Sequence, residues 1–183
     1  MKSQNTGKSK VGFTLVELLV AVAIVGILSA IAAVNFQAAS VRSKVARVQN
    51  DMTTIAGAIE IYRFDRNVYP PAAIGDFQLE TPLVSLTTPV EYLSSVPNAP
   101  FGPAAMDFNP GIRVGGYNYK DQKTTSVGMP AETYGHIWEA MPRKEYFLHS
   151  CGPNLVWDVL PYVEYDPTNG TVSKGDICRF GPM

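Results

Sequence analysis

The chain is poor in the residues that most enzymes use for chemistry. Its 183 residues include two histidines, His136 and His149, and two cysteines, Cys151 and Cys178. Neither histidine has metal-ligand spacing to the other or to a cysteine, and no Cys-x-x-Cys pair occurs. A Gly-x-Ser-x-Gly elbow and a glycine-rich phosphate loop are also missing. Zinc hydrolysis, dithiol redox chemistry, serine hydrolysis and nucleotide binding are therefore left without a signature, and no enzymatic role is expected. Net charge is close to neutral at −1, which gives no electrostatic case for a nucleic-acid partner. Internal repeats and low-complexity tracts are absent. His149 alternates with strand-forming residues and reads as structural.

Charge is scarcest near the N-terminus. Between Phe13 and Val34 the only ionisable side chain is Glu17. This apolar stretch of 22 residues makes about 33 Å of helix, enough to cross a bilayer core of about 30 Å. A carboxylate within such a span costs roughly 2.5–3.5 kcal/mol at the bilayer centre, so it requires a partner or a function. Basic residues flank the span on both sides, with Lys2, Lys8 and Lys10 before it and Arg42, Lys44 and Arg47 after it. The leader lysines lie nearest, which places the N-terminus in the cytoplasm. The basic cluster beyond the span reads as a solvated face that can also meet lipid head groups. Two plainer readings compete. A conventional signal peptide would use Ala30-Ile31-Ala32 as its cleavage site, and a simple one-span anchor would need no cleavage. Glu17 counts against both, because neither gives a reason for the acid.

The basic leader followed by Gly12-Phe13-Thr14-Leu15-Val16-Glu17 resembles the class III signal of type IV pilins and type II secretion pseudopilins. The resemblance implies that residues 1–12 are removed by a prepilin peptidase cutting after Gly12. Phe13 then becomes an N-methylated terminus, and residues 13–34 form the transmembrane and filament-core helix. Its partners would be further copies of the chain, the inner-membrane assembly platform, minor pseudopilins and membrane lipid. The C-terminal domain would lie in the periplasm. Cleavage would leave a cationic amine at a helix start, where the macrodipole disfavours it and favours the carboxylate of Glu17 one turn on. In one subunit that pair neutralises itself; between subunits it sets axial register. Ala21, Ala23, Gly26, Ser29, Ala30, Ala32 and Ala33 allow close helix approach. Relatives carry a proline two residues before an aromatic near the end of the span. Here Val34 precedes Phe36, which retains the backbone hydrogen bond.

Beyond the span, Val41, Val45, Val48, Met52, Ile55, Ile59 and Tyr62 recur at alternating spacings of four and three. This seam predicts that the helix continues over 35–65 as an amphipathic segment, packed on the chain's own C-terminal domain or forming a coiled-coil interface. The fold class expected is α+β: a long N-terminal helix on a small antiparallel β-sheet domain covering 66–183. Tyr69-Pro70-Pro71 ends the helix, and one short helix over 81–93 breaks near Pro89. Strands are expected at Tyr117-Asn118-Tyr119, Tyr146-Phe147-Leu148-His149 and Thr171-Val172-Ser173. Asn169-Gly170 predicts a hairpin turn with positive φ at both positions. Residues 121–144 read as a surface insertion.

The order Tyr69-Pro70, Leu86, Tyr92-Leu93 and Pro100-Phe101-Gly102 resembles the major pseudopilin in particular. So do Ser150-Cys151-Gly152-Pro153-Asn154 and Gly175-Asp176-Ile177, which match its C-terminal calcium loop. Calcium needs about six to eight oxygens. Ser150, Asp158 and Asp176 are the candidate ligands, with Asp166 also available, and Asn154 stands where the family has an aspartate. Cys151 and Cys178 flank this loop, and in an exported chain such a pair reads as a disulfide. Closing about 28 residues would contribute roughly 3.5 kcal/mol. Three functions follow: a pseudopilus subunit, a surface pilin for adhesion, motility or DNA uptake, and a non-polymerising membrane-anchored binding module.

Overall fold

The computed structural model describes residues 12–72, 81–102, 104–106, 113–114, 116–121, 145–158 and 163–182. The leader up to Val11, His136 and most of the expected insertion (122–144) lie outside these residues. Helix α1 runs without interruption from Leu15 to Arg66. The chain divides into two units within this helix, residues 1–39 and 40–183.

In the first unit the large apolar side chains from Phe13 to Phe36 are each more than half exposed. The segment is long and apolar enough to cross a membrane. Helical structure passes through Gly26 and Val34, as expected where no proline removes a backbone donor.

In the second unit the seam is the buried face of α1. Val45, Val48, Met52, Ile55 and Ile59 are buried, and Val41 and Tyr62 pack at its margins. Ala56 and Ala58 join them. The helix packs in one core with Leu83, Leu86, Phe101, Phe147, Leu148 and Trp157. Of the two partners the spacing allowed, the domain itself is therefore the one found. The helix stops before the prolines. Asn67 adopts a left-handed conformation (φ 56°) and its N–H donates to the carbonyl of Arg63 at 2.7 Å, an asparagine C-cap. Arg47 pairs with Asp51 at 3.6 Å, one turn on, and Lys44 lies 6.0 Å from the Phe101 ring. Part of the basic cluster is thus engaged within the fold.

The short helix α2 covers only Thr81–Val84, after which turns carry the chain, so the helix expected over 81–93 is cut short. Among the described residues six strands follow: β1 (Ala104–Met106), β2 (Arg113–Val114), β3 (Asn118–Asp121), β4 (Tyr146–Ser150), β5 (Val156–Trp157) and β6 (Ile177–Gly181). The main sheet has the order β3-β4-β6 and is antiparallel throughout. A second sheet, β2-β1-β5, includes a parallel pair between β1 and β5. Tyr117 donates to Asp51 Oδ2 on α1 at 2.7 Å, and Tyr119 donates to the Pro70 carbonyl at 3.0 Å. The main sheet is thereby tied to the helix and to its exit.

Two expectations in the C-terminal segment fail. Thr171-Val172-Ser173 is turn and irregular chain, and the third strand is Ile177–Gly181 instead. Asn169-Gly170 does not close a hairpin. Asn169 ends a 3-10 helix, Pro167–Asn169, and only Gly170 has positive φ. Asp166 caps that helix, accepting from the Thr168 N–H at 2.8 Å and its hydroxyl at 2.7 Å. The Asp-Pro start therefore favours a helical turn over a hairpin.

Candidate functional sites: the helix head and a buried acidic pocket

Thr14 lies just before the first turn of α1, and its hydroxyl accepts from the Glu17 N–H at 3.2 Å. Glu17 Oε2 reaches back to accept from the Thr14 N–H at 2.9 Å and the Thr14 hydroxyl at 2.7 Å. This reciprocal arrangement is a capping box, which satisfies orphan donors at a helix start. Its signal, Thr-x-x-Glu, was present in the sequence, and Thr14 is the residue that composition alone overlooks. Phe13, Val16, Val20, Ala21 and Ile24 surround Glu17 as a shallow apolar groove. The carboxylate therefore sits at the entry to an apolar surface and already accepts hydrogen bonds from its own chain.

The second site lies where the end of β4 meets the start of β6. Ser150 stands opposite Ile177 in the ladder, and His149 opposite Cys178. Backbones approach so closely here that a Cβ on Gly152 would collide with the Gly175 carbonyl. Gly175 itself has φ 121°, which favours glycine. Its N–H donates to Asp158 Oδ2 at 2.7 Å. The sequence-nominated Ser150, Asp158 and Asp176 are each at most 1% exposed.

Several oxygens in this pocket have no hydrogen-bond donor: Ser150 Oγ, Asp158 Oδ1 and both carboxylate oxygens of Asp176. Buried orphan oxygens are costly, and two neighbouring carboxylates more so. Burial pushes the Asp176 carboxyl up and the His149 imidazole down. Their 3.9 Å separation is too long for a good hydrogen bond. His149 packs edge-on against Trp157, ring centres 4.5 Å apart, and stacks on Phe147 at 5.0 Å, as its structural reading expects. The donor set of hydroxyl and carboxylate oxygens suits a hard cation. Among the described residues no group of three His, Cys, Asp or Glu side chains gathers at one point. Ser150 Oγ and main-chain carbonyls would have to complete any such coordination.

Asn154 does not offer its amide oxygen to the pocket. That oxygen accepts from the Val156 N–H at 3.2 Å, while Nδ2 donates to Asp158 Oδ2 at 2.7 Å. A carboxylate neighbour attracts the donor end of an amide. Asp166 is exposed and occupied with Thr168, so it takes no part.

No bond joins Cys151 and Cys178 in this structure, the pair expected as a disulfide in an exported chain. Cys178 is opposite His149, so Cys151 is two residues beyond its register. Burial pushes the Cys151 thiol well up, and the carboxylates of Asp176 and Asp158 add to the effect. Denaturation without reductant, followed by alkylation, should therefore add two adducts by mass. Under native conditions at neutral pH Cys178 should react first. A chain that takes up no label before reduction would show the cysteines joined.

The prokaryotic N-terminal methylation motif matches residues 10–33. Type II secretion system core protein G of Pseudomonas aeruginosa is 36% identical over 64 residues, covering 35% of this chain and 45% of that protein. The protein of the same name from Pectobacterium carotovorum is 26% identical over 111 residues, covering 58% of this chain and 71% of its own length. The type IV major fimbrial protein FimA of Dichelobacter nodosus is 46% identical over 54 residues, 30% of this chain and 35% of that protein. The chain thus spans less than half of the Pseudomonas and Dichelobacter relatives. No solved structure matches. The methylation motif thus lies on the capped head of the exposed apolar helix, and the chain is similar there to type II secretion core proteins G and to a type IV fimbrial protein.

Proposed function

We propose that this chain is a structural subunit that polymerises into a type II secretion pseudopilus. The observation that carries the reading is Glu17, the one acid of the span, capped at the head of an exposed apolar helix within a prepilin-type motif. After cleavage at Gly12, the new amine on Phe13 and the carboxylate of a neighbouring Glu17 would neutralise each other as subunits pack. The chain's partners are then its own copies, the prepilin peptidase, an inner-membrane assembly platform and minor pseudopilins. The N-terminus lies on the cytoplasmic side, and the domain from Ser40 onward in the periplasm. A surface pilin is the second reading, favoured by the fimbrial relative. That likeness covers only 54 residues, whereas likeness to core protein G reaches 111 residues. The longer match supports the pseudopilus reading.

The C-terminal pocket would hold a calcium ion through Ser150, Asp158 and Asp176. Its orphan oxygens support that reading, and an ion there would neutralise the two carboxylates and brace the junction of β4 with β6.

Intact-mass spectrometry of the membrane-extracted protein tests the processing on which polymerisation depends. The expected species lacks residues 1–12 and carries one added methyl group, about +14 Da, on Phe13. A mass beginning at Ala33 would establish an ordinary signal peptide and remove the filament reading.

A further inference from the structure

Asp158 is fully buried, and its two oxygens are treated differently. Oδ2 accepts from Asn154 Nδ2 and from the Gly175 N–H, both at 2.7 Å. Oδ1 has no hydrogen-bond donor, but Lys174 Nζ lies 3.6 Å from it. The lysine side chain is 56% exposed and the aspartate 0%. An exposed side chain therefore sets its cation beside the one Asp158 oxygen that has no hydrogen bond. Lysine suits this role, being a compact charge on a mobile arm rather than a rigid fork. The buried carboxylate gains a counter-ion that it could lose only at a cost.

A calcium ion bound through Asp158 would need that same Oδ1. Two cations at contact distance from one oxygen repel each other. We propose that Lys174 is a tethered competitor for the cation: the pocket fills only when calcium displaces the lysine ammonium from Asp158. This inference rests on the calcium reading above and adds a threshold to it. Asn154 works in the same direction, since it spends a donor on Asp158 and contributes no charge. The pocket should belong to the weak class of sites that fill only where calcium is abundant, with a dissociation constant of about 10⁻⁴–10⁻³ M.

The test is titration of calcium chloride into the metal-stripped full chain in detergent micelles, followed by calorimetry. Terbium luminescence sensitised by Trp157, next to Asp158 in the chain and buried, gives a second readout. Lys174→Met retains the stem without the charge and should tighten binding about tenfold. Lys174→Arg keeps a cation beside Asp158 and should not tighten binding as the methionine does. Without calcium the methionine variant should melt below the parent, and at saturating calcium the deficit should shrink or reverse. Asp176→Asn should abolish binding in either background. Equal affinity for the parent and Lys174→Met would overturn the competitor role and leave the calcium site standing. Weaker binding by Lys174→Met would overturn it as well, making the lysine a support of the site. If neither chain binds at about 10 mM, beyond the weakest protein calcium sites, both the competitor and the calcium reading fall.

Discussion

Glu17→Ala should leave the protein in the membrane and deplete it from filaments by about two orders of magnitude. Each added subunit would bring an amine on Phe13 into an apolar lattice without its carboxylate. Leaving that charge unpaired costs up to roughly 2.5–3.5 kcal/mol, and each 1.4 kcal/mol is about a factor of ten. The capping box gives a way to separate charge from helix stability. Losing the box costs about 1 kcal/mol, and glutamine preserves it, because its side-chain oxygen can still accept from Thr14. Glu17→Gln should therefore keep the helix head intact and still fail to assemble. Immunoblotting of sheared or pelleted filaments against the membrane fraction reads both variants. Normal filaments from Glu17→Gln would show that Glu17 acts as a cap and not as half of an ion pair.

Ile55→Ala should destabilise the domain by about 2–5 kcal/mol, as a large-to-small change in a closed core does. Ile55 is 0% exposed at the middle of the seam, whereas Ile61, six residues on in the same helix, is 55% exposed. Ile61→Ala should change stability by no more than about 0.5 kcal/mol. The two substitutions remove the same atoms from the same helix, so the contrast isolates which face carries the core. Urea unfolding followed through the buried Trp157 measures both. Equal losses would mean that the Ile61 face is covered as well, by a neighbouring subunit or by another part of the chain.

The parts legible in the sequence are those decided over short stretches of chain. The alternation of four and three from Val41 to Tyr62 follows from one helix having one covered side; in the structure Val45 to Ile59 of that seam are buried and Val41 and Tyr62 pack at its margins. The strand at Tyr146 to His149 was readable from its run of aromatic and branched residues, and it extends one residue further, to Ser150. What failed depends on distant partners. Thr171-Val172-Ser173 has the stronger intrinsic preference for strand, yet the Ile177–Gly181 segment, with an arginine, a cysteine and a glycine, forms β6 because β4 offers it a ladder. The parallel pairing of β1 with β5 leaves no local trace at all. In the sites, Glu17 stood out by its isolation, and the aspartates and Ser150 by resemblance. The Thr-x-x-Glu signal at Thr14 is local and went unread beside Glu17. Lys174 was not legible, since its approach to Asp158 depends on how the chain between them is routed.

The collision that a Cβ at Gly152 would make with the Gly175 carbonyl has a thermodynamic meaning. The pocket is made from two strand ends in main-chain contact, so it exists only while β4 and β6 are joined. An ion held there would therefore bind the folded domain and not the unfolded chain, and mass action would make its occupancy a contribution to folding. At a hundredfold excess over the dissociation constant that contribution is about 2.7 kcal/mol, on the scale of a core side chain. The lifetime of a subunit against proteolysis would then follow the ion content of its surroundings, with a sensitivity set by contact between two glycines.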